Sequence, residues 1–289
     1  MRLVEREGLG DASEAFQRLL DAGAGLHGAR IYGDLDVTSD ALTRKGAFVL
    51  LLERPDRLRF EALTSNDVTI LLVVANQGQL LVYDRAANTC ARGAWAGALR
   101  LGGLRLEADV AELLGLVTGR LTATVADSLR LWWDPAAERR VLEVRRGTRV
   151  AYHTLDGDQR LARTVLKDGE RTLADVRYEG HEAVDGSWLP TRSTWDIPAD
   201  GSHASLRVRQ GALNRGFTAR AFLTECPEGA TVQEIAGLGA CTALNQTAVE
   251  TPTATSLPAV QPVEGTTDRL LGCLPGGGPP DPQTERVAP

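Results

Sequence analysis

The connections in the first third of this 289-residue chain are too short for anything but antiparallel strands. The apolar runs GAFVLLLER, RLRFEAL, VTILLVVA, QLLVYD and TCARG are separated only by Pro55-Asp56, Thr64 to Asp67, Asn76 to Gly78, and Asp84 to Asn88. A parallel crossover needs about a dozen residues, so each run must pair with its neighbour in a meander. Within LLERPDRLRFEAL, Leu58, Phe60 and Ala62 point to one face, and Arg59 and Glu61 to the other. In RIYGDLDVT, Ile31, Leu35 and Val37 share a face opposite Asp34 and Asp36.

A second meander follows. From about Leu129 the punctuation is Asp156-Gly157, Asp168-Gly169, Asp185-Gly186 and Asp200-Gly201, spaced 12 to 17 residues apart. Asp-Gly supplies the positive φ angles of tight hairpins. Leu161, Arg163 and Val165 alternate with polar neighbours, as do Ala174, Val176 and Tyr178. Pro190 inside SWLPTRSTWDI predicts an edge strand or a bulge. ASLRVRQGAL reads as the last strand.

Two helices interrupt this pattern. DASEAFQRLLDA, Asp11 to Ala22, places Ala15, Phe16, Leu19 and Leu20 on one face, with Asp11 or Ser13 as cap and Gly23 as terminator. The mid-chain insert is Gly-rich, with GALRLGG read as a loop. It is then helical from about Glu107 to Val117, where Val110, Leu113, Leu114 and Val117 have helical spacing. The resulting fold class is mainly β (α+β). About eleven antiparallel strands curl into an incomplete β-barrel, with helices packed on the concave face. The expected organisation is an N-terminal lead at 1–10, a half-barrel domain at 11–244, and a disordered Pro/Thr/Gly-rich tail at 245–289.

The net charge of -6 and the lack of a dense basic block argue against nucleic-acid binding. No apolar run is long enough for a transmembrane helix, and MRLVEREGLGDASEAF has no apolar leader region. The four cysteines, Cys90, Cys226, Cys241 and Cys273, form no Cys-x-x-Cys pair. Cys226 and Cys241 either close a short disulfide loop or remain two thiols. LLGC at 270–273 matches the end of a bacterial lipobox but lacks its N-terminal position and preceding apolar helix, so lipidation is not expected there.

His27, His153, His181 and His203 are scattered, with no metal-ligand spacing. There is no nucleophile elbow and no phosphate-binding Gly loop. The expectation is therefore a protein that is not an enzyme, without cofactor or metal, and a monomer. What exceeds the needs of a one-sided sheet is apolar area, since AFVLLL and ILLVVA are oily on both faces. Either that area is a filled core, or part of it lines a dry cavity for an aliphatic ligand. Strand alternation assigns Phe48, Leu50, Leu58, Phe60, Leu72 and Val74 to such a lining, with Leu113 and Val117 from the insert.

The order of elements resembles the LolA/LolB lipoprotein-carrier superfamily. RPDRLRFEAL followed by VTILLVVANQGQLLVYDRAANTCARG carries most of the likeness. LEADVAELLGLVTGR, VDGSWLPTRSTW and GFTARAFLTECPEGA extend it over about residues 11 to 230. The resemblance implies an incomplete barrel with helices on its concave face and a hydrophobic cavity for the acyl chains of lipids or lipoproteins. It also implies a place in the periplasm or on the periplasmic face of the outer membrane. Thr64-Ser65-Asn66-Asp67 offers no apolar tip for inserting into a membrane. The alternative use of such a fold is a structural or regulatory envelope module that docks a protein partner.

Overall fold

Each short connection in the first third of the chain closes a hairpin. The computed structural model describes residues 2–39, 42–64, 66–95, 99–101, 104–121, 125–199 and 201–234. Helix α1 (Ala12–Ala24) leads into β1 (Gly28–Ser39), β2 (Leu42–Glu53), β3 (Arg57–Leu63), β4 (Thr69–Asn76), β5 (Gln79–Asp84) and β6 (Thr89–Ala94). A small hairpin, β7 (Leu99–Leu101) and β8 (Leu104–Leu106), precedes helix α2 (Val110–Thr118). The second meander is β9 (Ser128–Asp134), β10 (Arg139–Arg146), β11 (Arg149–Leu155), β12 (Leu161–Asp168), β13 (Arg171–Val184), β14 (Ser187–Ile197) and β15 (Ser202–Leu213). A 3-10 turn (Ala219–Phe222) and β16 (Thr231–Glu234) complete the described chain.

Fourteen strands form one sheet in the order β16-β6-β5-β4-β3-β2-β1-β15-β14-β13-β12-β11-β10-β9. The sheet is not closed, so the fold is an incomplete antiparallel β-barrel. The strand count exceeds the eleven expected because two hairpins carry no Asp-Gly. The β9–β10 turn spans 135–138 and the β10–β11 turn is Gly147-Thr148. Parallel pairing of β16 with β6 had no sequence signal either. Asp185 and Gly186, at φ 47° and 76°, make the expected tight turn. Pro190 lies on an interior strand rather than an edge. It is tolerated there because β15 pairs with β14 only from Arg192 onward.

The inner face forms one continuous core. Phe48, Leu50, Leu58, Phe60 and Val73 from the first meander join Leu142, Val144, Val176 and Trp195 from the second. Phe16 and Leu19 of α1 and Leu113, Leu114 and Val117 of α2 fill the space between them. Helix α2 starts with a capping box, in which Asp109 accepts from the Glu112 backbone and Glu112 accepts from the Asp109 backbone. Gly119 ends it in the left-handed conformation at φ 63°. Val110, Leu113, Leu114, Leu116 and Val117 are all buried, so α2 is a plug with little polar surface.

A smaller cluster covers the outer face of β4 to β6. Val74, Leu81 and Cys90 pack there against Phe222, with Leu72 and Phe217 alongside. Cys90 and Cys226 form a disulfide, so for Cys226 neither alternative left open by the sequence, a loop with Cys241 or a free thiol, applies. Sequence proximity misled because β16 brings the C-terminal segment back beside β6. Closing a loop across 136 residues restricts the unfolded chain by roughly 5 kcal/mol in the loop-entropy account. Cys241, Cys273 and the tail at 245–289 lie outside the described residues.

Gly23 is not the terminator of α1, which continues to Ala24. Its role is close approach, since a Cβ there would lie 2.5 Å from the Leu121 carbonyl oxygen. Alanine in a helix interior ordinarily stabilises by about 1 kcal/mol over glycine. Here Gly23→Ala should instead destabilise by about 1–3 kcal/mol, because backbone must shift. Thermal unfolding of the variant checks this, and a raised Tm would contradict it.

Candidate functional site

Six of the eight residues assigned to a lining meet on the inner face. Phe48, Leu50, Leu58, Phe60, Leu113 and Val117 belong to the main core, with exposures from 0% to 5%. The Phe48 and Phe60 rings stack at 6.2 Å between centroids. Other buried side chains of the same core, Ile31, Phe16 and Leu114 among them, belong to one cluster with these residues. Leu72 and Val74 sit on the opposite face, where Val74 packs in the outer cluster and Leu72 beside it. The inward residues of β4 are Leu71, Val73 and Ala75, which pair with Ala62, Phe60 and Leu58. A strand that is apolar on both faces gives alternation nothing to read, and the parity comes from pairing instead.

The open apolar space lies in the other half of the sheet, beside α2. A cavity of about 100 Å³ runs between Asp109, Ala111 and Glu112 at the start of α2 and the strands β10 to β12. Val144, Ala151 and Leu166 pair across adjacent strands and form its floor. Arg146, Arg149 and Lys167 stand around it. The Arg149 guanidinium donates to both carboxylate oxygens of Glu112, at 3.0 and 2.8 Å, and holds the helix to the strand. The arrangement is an apolar slot ringed by three basic and two acidic groups, Arg146, Arg149 and Lys167 with Asp109 and Glu112, and its small positive excess suits a chain with an anionic end.

One row further along the same face, beyond the residues that line the slot, the inner face becomes polar. Leu142, His153, Thr164 and Val176 face one another across β10 to β13. His153 Nδ1 and the Thr164 hydroxyl are 3.1 Å apart, and the imidazole is 4% exposed. The other ring nitrogen, Nε2, is buried without a partner. The Tyr178 hydroxyl, for which Thr164 is a neighbouring hydrogen-bonding group, is also buried without a bond of good geometry. Burial pushes the phenol's ionisation well up. Sequence reasoning passed over this half because its strands carry no long apolar run. The available signal was a histidine alternating in phase with the apolar residues of AYHTL.

Among the described residues no group of three or more metal-ligating side chains comes together. No helix of the described residues is long and apolar enough to cross a membrane.

A solved structure sets this geometry in context. A putative outer membrane lipoprotein-sorting protein domain from Vibrio parahaemolyticus superposes with a TM-score of 0.50 at 12% identity, over 73% of this chain and 97% of that one. The fold is LolA/LolB-like. A DUF1329 family protein from Desulfovibrio piger is similar at a TM-score of 0.49 and 12% identity, over 73% of this chain and 97% of that one. A LolA superfamily protein from Nitrosomonas europaea is similar at 0.49 and 13% identity, over 72% and 96%. No protein-family model matches the sequence, and neither does any curated protein. In this LolA/LolB-like sheet, the inserted α2 lies against β2 and β14, on the side that holds both the filled core and the slot.

Burial pushes the His153 imidazole down to about 4 from its ordinary 6.5. Between those values the unfolded chain binds a proton that the folded chain refuses. Stability from this residue is therefore complete above pH 6.5 and is lost as the pH falls toward 4. The loss should reach about 2 kcal/mol between roughly pH 7 and pH 5. Denaturant unfolding at both pH values should show this component in the wild type and not in His153→Phe. Equal losses in the two proteins would contradict it.

Proposed function

We propose that the protein is a non-enzymatic cell-envelope protein that takes up the acyl chains of lipids or lipoproteins on the inner face of its half-barrel. The observation that carries this reading is the apolar slot beside α2, with Val144, Ala151 and Leu166 as floor and Arg146, Arg149 and Lys167 around it. Each methylene buried there contributes about 0.8 kcal/mol. At about 100 Å³ the slot admits only part of a chain, well short of the roughly 300–1,000 Å³ usual for ligand sites. A longer chain needs α2 to shift away from the sheet. It would then lie along Phe48, Leu50, Leu58 and Phe60, in the space that Leu113 and Val117 now fill.

The proposed location is the periplasm or the periplasmic face of the outer membrane. The Cys90–Cys226 disulfide supports it, because such bonds persist in oxidising compartments. The lipoprotein-sorting description of the Vibrio domain agrees with it.

Native mass spectrometry of gently purified protein should show masses of bound lipid, and delipidated protein should bind stearate. Ala151→Trp, which fills the slot floor, should weaken stearate binding at least tenfold while circular dichroism stays unchanged. Protein that carries no lipid and binds no stearate would overturn the reading.

A further inference from the structure

The polar row beyond the slot carries buried polar atoms that the sheet leaves unsatisfied. A buried ring nitrogen without a partner is destabilising, and replacing the imidazole by an apolar side chain would remove that cost. His153 is held in place through Nδ1 by the Thr164 hydroxyl, which leaves Nε2 as the free polar atom. The Tyr178 hydroxyl is a second buried polar atom without a well-formed bond, near the same threonine.

Placement relates these groups to the slot. Arg149, Ala151 and His153 are successive inward residues of β11, so the mouth, the floor and the polar row lie along one line. At about 3.3 Å per residue, His153 lies about 13 Å inward of Arg149. The glycerol ester of a phospholipid lies too close to its phosphate to span that distance with the phosphate at Arg149. A functional group part-way down the hydrocarbon chain does span it.

We propose that His153 and Tyr178 form a recognition site for a hydroxyl group on the middle of an acyl chain whose anionic end rests at Arg146, Arg149 and Lys167. A hydroxyl suits the pair because it both donates and accepts, so it satisfies Nε2 in either tautomer and leaves a second bond for the Tyr178 hydroxyl. Thr164 is a positioning residue that fixes the imidazole ring. The ligand class is a mid-chain hydroxylated fatty acid or a lipid that carries one. The inference rests on the acyl-binding reading and adds a chemical preference to it.

The test compares stearate with mid-chain hydroxystearate by isothermal titration calorimetry on the full chain. Wild-type protein should bind hydroxystearate about three- to tenfold more tightly than stearate. His153→Phe should reverse the order, because the ligand hydroxyl would then be buried without that partner. Tyr178→Phe should shrink the preference without reversing it, and this milder change serves if His153→Phe does not fold. If the wild type binds stearate as tightly as hydroxystearate or more tightly, Nε2 serves an internal water only and the proposal fails. A preference that survives in His153→Phe also overturns it. Failure of the wild type to bind either acid would instead remove the acyl-binding reading itself.

Discussion

The pairing of β1 with β15 is the contact on which the rest of the architecture depends. It runs antiparallel from Ala29 opposite Leu213 to Thr38 opposite His203 and joins the two meanders into one sheet. Without it the chain would hold two separate curled sheets, each with an uncovered apolar face. The register steps at a bulge between Tyr32 and Gly33. A Cβ at Gly33 would lie 2.1 Å from the Arg207 carbonyl oxygen and 3.1 Å from the Phe48 ring. Glycine at this point lets the closing pair and the core approach each other.

Joining the meanders creates an inner face larger than either could cover. Helix α2 sits over its middle and α1 near the β9–β10 end, and the two ends of the sheet are treated differently. Val4 pairs with Trp133 on β9 through both backbone bonds, and Arg6 lies 4.3 Å from the centroid of the Trp133 ring. On the other side β16 covers β6, and the Cys90–Cys226 disulfide holds the returning segment to it. Both arrangements blunt exposed edges that would otherwise invite pairing with other chains. The interior left between these elements is dense over the first meander and looser beside β10 to β12. That asymmetry locates the slot.

Much of the fold was legible in local pattern. The β2 to β6 hairpins followed from connection lengths, and the two helices from apolar spacing, with Asp11 or Ser13 as the cap of the first. What local pattern lacked was partner information. The continuous run ILLVVA did not reveal that Val73 faces in and Val74 out, because both faces of β4 meet apolar neighbours. The Cys90–Cys226 bond and β16 depend on contacts more than 130 residues apart in sequence. The slot itself arises from the fit of α2 against β10 to β12, and none of its floor residues is conspicuous alone. His153 became a candidate only once Leu142 and Thr164 were its cross-strand neighbours.

Whether the space beside α2 receives an acyl chain is decided by a crystal structure of the protein with bound stearate. Continuous density is expected from Arg149 past Ala151 toward His153, with α2 displaced from its present contacts. An unmoved α2, with stearate absent or held only on the outer surface, would contradict it.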